Sequence, residues 1–131
     1  GYWFIDRAVE YAGDREVFSR PIGQNQGVQF PIARAYTNIK AADLMRYDAC
    51  RRFDENRSCG AEANMAKMLA ADASWEAGNV CLQTHGGFGF AREYDIERKF
   101  RETRLYQVAP ISTNLILAYI GEHILGLPRS F

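Results

Sequence analysis

The sequence predicts an all-α, up-and-down helical bundle of four to five helices, formed as a single domain over residues 1–131. Three observations point there. Apolar residues recur at steps of three and four over long stretches, the period of a helix that buries one stripe. The joints between those stretches are short and rich in glycine, proline and polar residues. No stretch reads as a strand, and a chain of 131 residues is long enough for one hydrophobic core.

The first helix is expected from about Tyr2 to about Phe18, with Trp3, Ile5, Ala8, Val9 and Ala12 near helical spacing and Gly13 as a weak point. No Ser, Thr, Asp or Asn cap precedes it, so the chain reads as starting inside a helix, as a fragment of a longer subunit would. A turn is expected at Arg20-Pro21-Ile22-Gly23. The second helix spans about Gln26 to Phe53, with an inner stripe of Val28, Ile32, Ala35, Tyr36, Ile39, Ala42, Met45 and Ala49. Pro31 lacks a backbone donor, so the first turns are expected to bend or the regular helix to start near it. After a polar loop at Asp54 to Gly60, the third helix covers about Ala61 to Thr84. It carries Met65, Met68, Leu69, Trp75 and Val80 among many alanines, which favour a helix and let a neighbour approach closely. The stretch His85 to Phe90, rich in glycine, ends it. The fourth helix is about Ile96 to Leu105. The fifth is about Ser112 to Leu125, with Leu115, Ile116, Tyr119, Ile120 and Ile124 facing inward and Gly126 and Pro128 as its stop.

Composition removes several function classes. Sixteen basic residues balance sixteen acidic ones, which argues against a general nucleic-acid binder or a polybasic membrane anchor. No apolar run approaches the ~20 residues of a membrane span, and the start lacks a signal-peptide pattern. Cys50, Cys59 and Cys81 are odd in number and form no C-x-x-C pair, so neither a disulfide framework nor a metal site is expected. They read as buried or half-buried free thiols of a reducing interior, the cytoplasm or, in a eukaryote, the mitochondrial matrix.

Three stretches carry more than fold. They are Arg15 to Ile22 followed by Asn25 to Gln29; Gln83 to Tyr94, which holds His85-Gly86-Gly87-Phe88-Gly89-Phe90; and Glu97 to Arg104. Read one at a time, Arg15 is a solvated arginine, Phe18 a core or turn residue, Asn25-Gln26 a cap and first turn, and the glycines a tight joint. His85 and His123 read as structural and surface residues. In this order and spacing, however, the stretches resemble the acyl-CoA dehydrogenase family over nearly the whole chain. Its members carry an R-x-x-F-G turn, a Gln on the next helix, a Q-x-x-G-G-x-G-[FY] loop and a short helix ending in R-D-x-[KR].

The resemblance implies the C-terminal helical domain of an FAD-dependent enzyme that dehydrogenates an acyl-CoA thioester. Arg15, Phe18 and Gln26 would then reach the cofactor of a neighbouring subunit, with Gln83 and the Gly86-Gly87 backbone completing the contact. An arginine fork suits phosphate oxygens, and glycines admit close backbone approach. Ser112 and Asn114 stand near positions where the family often has Thr and Gln touching the cofactor, and both keep hydrogen-bonding capacity. The family further implies a homo-oligomer, dimer or tetramer, and an electron-transfer flavoprotein as acceptor.

Two departures bear on activity. The family's usual proton-abstracting glutamate falls here on Pro110, which has no proton-accepting side chain. Either the base lies upstream of Gly1, as in some relatives, or the chain belongs to a non-catalytic structural or oligomerisation subunit; nothing marks Glu10, Asp14 or Glu16 as the base. Ser19 also replaces the usual glycine after Phe18.

Overall fold

A computed structural model of the chain describes residues 1–130. Among them, helices α1 (Tyr2–Asp14), α2 (Gln26–Asp54), α3 (Gly60–His85), α4 (Ile96–Leu105) and α5 (Thr113–Tyr119) follow one another. α3 is the hub and packs against α1, α2 and α4. Its buried face is small: Ala66, Ala71, Ala73, Ala77 and Gly78, then Cys81 and His85. A Cβ on Gly78 would lie 3.3 Å from both Phe4 and Phe100, so this glycine lets α1 and α4 close onto α3. The core joins Phe4, Ile5, Ala8 and Ala12 of α1 to Ile32, Ala35, Ile39 and Ala42 of α2, the small face of α3, and Ile96 at the start of α4. Where α4 meets α3, the Ser74 and Thr103 hydroxyls hydrogen-bond at 2.6 Å, so the buried Thr103 keeps a partner.

The helical expectation holds, with local corrections. α1 stops at Asp14 rather than Phe18, because Arg15 turns extended with ψ 113°. The chain then forms a two-residue antiparallel ladder, β1 (Glu16–Val17) with β2 (Arg20–Pro21), where no strand was expected. The turn between them is Phe18-Ser19, not Arg20 to Gly23. Both residues are left-handed (φ 53° and 62°), the backbone that matches the twist of a two-residue hairpin. A glycine at Ser19 would adopt this conformation without the side-chain penalty. A 3-10 turn at Ile22–Gln24 leads into α2. Pro31 lies inside α2, which runs unbroken around it.

The inward faces are narrower than periodicity implies. Val9, Tyr36, Leu69, Leu115 and Ile124 are exposed, whereas Phe4 is in the core. α5 is α-helical only to Tyr119, and Ile120–Ile124 continues as a π-helical turn closed by Leu125 N–H to the Ile120 carbonyl at 3.0 Å. Ser112 is its N-cap, accepting from Leu115 N–H at 3.4 Å. Cys81 is buried and Cys59 half-buried, but Cys50 is exposed, contrary to expectation, because it falls outside the inner stripe of α2. Among the described residues no helix is long and apolar enough to cross a membrane.

Candidate functional site

The C-terminal end of α1 and the C-terminal end of α3 stand side by side and flank an open cleft of about 450 Å³. Arg15, Gln83, Gly86 and Gly87 all line it. Arg15 comes there as the residue that caps α1, its N–H donating to the Tyr11 carbonyl at 2.9 Å. Its own carbonyl accepts from Ile22 N–H at 2.9 Å, which closes the hairpin behind it. The guanidinium has no hydrogen bond or ion pair among the described residues. Arg15 therefore presents a fixed backbone and an unengaged cation to the cleft, a combination suited to an anion.

The opposite wall is the end of α3. Gly86 adopts φ 56° and ψ −129°, which ends the helix and turns the chain aside. A Cβ at Gly86 or Gly87 would meet no atom within 4 Å, so the backbone there is open to a ligand. His85, just before, is 4% exposed. Its Nδ1 lies 2.9 Å from the Cys81 carbonyl and must carry the proton, because a carbonyl only accepts. Its ring stacks on Tyr11 at 4.2 Å between centroids, and Tyr94 meets it edge-on at 5.6 Å. Burial pushes the His85 pKa down and the Cys81 thiol up to about 12. Both stay neutral near pH 7, so this contact is not a thiolate–imidazolium pair.

Phe18 and Gln26 do not line this cleft. Phe18 is 95% exposed at the hairpin tip, and Gln26 is exposed in the first turn of α2. Phe18 lies between β1 and β2 and Gln26 opens α2, so both follow Arg15 closely along the chain, where a short framework braces the turn. Arg20 donates to the Asn25 Oδ1 at 2.9 Å, and the Asn25 side chain donates to the Ile22 carbonyl at 3.0 Å.

Ser112 and Asn114 lie elsewhere. They line a separate cleft of about 330 Å³ with Asp72, Arg104 and Gln107. Asp72 and Gln83 are both on α3, about 16 Å apart along its axis at about 1.5 Å per residue. The expected contact residues therefore divide into two groups rather than one pocket. Pro110 is exposed in the loop before α5, and nothing in its side chain accepts a proton. Of the acids near the chain start, Glu10 pairs with Arg7 at 2.7 Å, Asp14 lines a neighbouring cleft, and Glu16 is exposed in β1. Among the described residues no group of three or more side chains is placed to hold a metal ion.

Tyr11, Asp72 and Gln107 were not anticipated. Tyr11 had a signal: it lies four residues before Arg15 on a helix, hence on the same face. Asp72 and Gln107 had none, since their 3.1 Å hydrogen bond joins two distant elements.

The sequence pattern of the acyl-CoA dehydrogenase C-terminal domain matches residues 3–125. The chain belongs to the acyl-CoA dehydrogenase family. Among relatives, it is 38% identical over 133 residues to acyl-CoA dehydrogenase FadE12 of Mycobacterium tuberculosis, covering 100% of this chain and 34% of that protein. Among solved structures, butyryl-CoA dehydrogenase from Megasphaera elsdenii superposes with a TM-score of 0.90 at 27% identity, over 93% of this chain and 32% of that one. The FAD complex of PigA superposes with a TM-score of 0.90 at 26% identity, over 95% of this chain and 32% of that one. The chain thus spans about a third of the length of the acyl-CoA dehydrogenases it matches.

Proposed function

We propose that this chain is the C-terminal domain of a longer subunit of an FAD-dependent acyl-CoA dehydrogenase, where it supplies part of the flavin site and the oligomer interface. The observation that carries the reading is the meeting of Arg15, Gln83, Gly86 and Gly87 in one cleft. An unengaged guanidinium faces backbone on which a Cβ would find open space. That donor set fits the diphosphate of a flavin dinucleotide. When bound, FAD supplies the hydride acceptor for α,β-dehydrogenation of an acyl-CoA thioester.

The chain's own residues bind and orient. Arg15 offsets phosphate charge, Gln83 adds a neutral hydrogen-bonding group, and the Gly86-Gly87 backbone admits close approach. Phe18 and Gln26 extend this contact along the hairpin edge to the cofactor of a neighbouring subunit. Ser112 and Asn114 offer hydroxyl and amide groups at the separate cleft.

Oligomerisation, as a homodimer or homotetramer, is supported by exposed apolar side chains. Leu44, Tyr47 and Phe53 on α2 and Leu117 on α5 are each more than half exposed. The alanine face of α3 is not available for this, because the chain's own helices cover it. An electron-transfer flavoprotein would reoxidise the cofactor, and the setting would be fatty-acid oxidation in the cytoplasm or the mitochondrial matrix.

A second reading is a non-catalytic subunit of the same fold, and what favours it is that the resemblance to the family sets Pro110, which has no proton-accepting side chain, at the position of the usual base. Turnover of acyl-CoA by the whole subunit separates the two readings.

The test of the leading reading is a titration with FAD followed by flavin fluorescence, with Arg15→Ala beside the unaltered chain. Saturable quenching that weakens about tenfold or more in Arg15→Ala is the expected result, since losing a charged hydrogen-bond donor costs about 1.5–3 kcal/mol. Equal binding by both proteins would remove the cleft from the cofactor site.

A further inference from the structure

His85 is buried and titratable, and the proposed flavin contact does not use it. Its ring joins the two walls of the cleft. On one side it stacks on Tyr11, one helical turn before Arg15. On the other it is the residue before Gly86, held by its Nδ1–H to the Cys81 carbonyl. Phe88 and Tyr94 add to this join by meeting Tyr11 edge-on at 6.3 and 6.0 Å.

We propose that His85 is a positioning residue and a proton-linked latch: its neutral ring holds Arg15 and the Gly86-Gly87 backbone at the spacing the cofactor phosphates need, and protonation at Nε2 releases them. The proposal rests on reading this cleft as a flavin contact.

The chemistry follows from the surroundings. A second ring proton creates a cation at a position 4% exposed. The charged and titratable groups around it are Arg7, Glu10, Tyr11 and Asp14 on α1, Arg15 just after it, Cys81 on α3, and Glu93, Tyr94 and Asp95 beyond the glycine loop. Glu10 favours the cation and Arg7 opposes it. These two are paired with each other at 2.7 Å, and Asp95 is engaged by Arg98. Burial is the largest influence and favours the neutral ring. An imidazolium gains hydration by leaving the stack for the adjoining cleft of about 610 Å³, and Tyr11 and Gly86 then lose their common support. Because burial depresses the pKa, the neutral, binding-competent form prevails at and above the ordinary value of about 6.5. Binding weakens as pH falls below it.

The experiment measures FAD affinity of the whole subunit between about pH 7.5 and about pH 5, across the imidazole range. It compares unaltered protein, His85→Phe, His85→Asn and Arg15→Ala. Phenylalanine keeps a ring on Tyr11 and cannot titrate; asparagine keeps a donor for the Cys81 carbonyl and loses the stack. The unaltered protein is expected to lose roughly tenfold in affinity over this range, the effect of a one-unit coupling. Both His85 variants are expected to be flat within about twofold, with His85→Asn weaker throughout because its stack is gone. An unaltered protein with no pH dependence, or a foldable His85 variant that keeps the full dependence, overturns the proposal. Should His85→Phe fail to fold by circular dichroism, His85→Asn decides. Arg15→Ala reports separately: if it binds FAD as well as the unaltered protein, the reading of the cleft fails, whatever His85 does.

Discussion

The two clefts along α3 are held by different forces. At its C-terminal end, the cleft walls are set by the buried His85 ring on Tyr11 and by the positive-φ turn at Gly86, next to the core that Ala12 and Cys81 share with the fully buried Ile96 of α4. Farther back on the same helix, the cleft of Ser112 and Asn114 depends on polar bonds near the surface. Lys67 donates to the Tyr106 carbonyl at 2.5 Å, the Gln107 amide donates to Asp72 at 3.1 Å, and Ser112 caps α5 at 3.4 Å. Buried packing is lost all at once when cut, whereas exposed hydrogen bonds trade with water at little net cost. The first cleft is therefore preorganised by the domain's own core. The second takes its shape from local bonds on a short helix, and its exposed partners leave it open to contacts from outside the domain.

The largest effect that sharpens this contrast is Ile96→Ala. The side chain is 0% exposed, so truncation should cost about 2–4 kcal/mol by urea unfolding. A cost under about 1 kcal/mol would mean that the first cleft does not rest on the core.

Gly86→Ala comes next. Its added Cβ clashes with nothing, so the cost is purely conformational, about 1–3 kcal/mol for a non-glycine residue at φ 56° and ψ −129°. Thermal unfolding reads it, and an unchanged midpoint would show that the turn relaxes freely.

The smallest effects belong to the second cleft. Ser112→Ala removes a cap whose hydrogen bond is long, and should cost about 0.5 kcal/mol. Lys67→Met should fall within about 0.5 kcal/mol of the unaltered chain. A loss above about 1.5 kcal/mol from either, measured in the same urea series, would erase the distinction between the two clefts.

Much of this was legible in the residues. The limits of α4 match those expected, Ile96 to Leu105. So does the reach of α2, where Ile32, Ala35, Ile39, Ala42 and Ala49 form the buried side. Helical spacing is a local property, and it survives folding wherever one face is buried. The hairpin was missed because two residues per strand carry no period, and its turn places Phe18 and Ser19 in a conformation neither residue favours alone. Cys50 was misjudged because an apolar residue type does not say which side of a helix it takes.

The sequence by itself determined the helices, the order of the arginine, glutamine and glycine motifs, and that position 110 is a proline with no proton-accepting side chain, since each depends on residue identity and neighbouring spacing. Only the tertiary structure decided that Arg15 meets Gln83 and Gly86-Gly87 while Ser112 and Asn114 stand apart, and that His85 closes on Tyr11. Those pairings cross from one helix to another. They are set by how closely small residues such as Ala77 and Gly78 let α1 and α4 approach α3, and no local pattern records that distance.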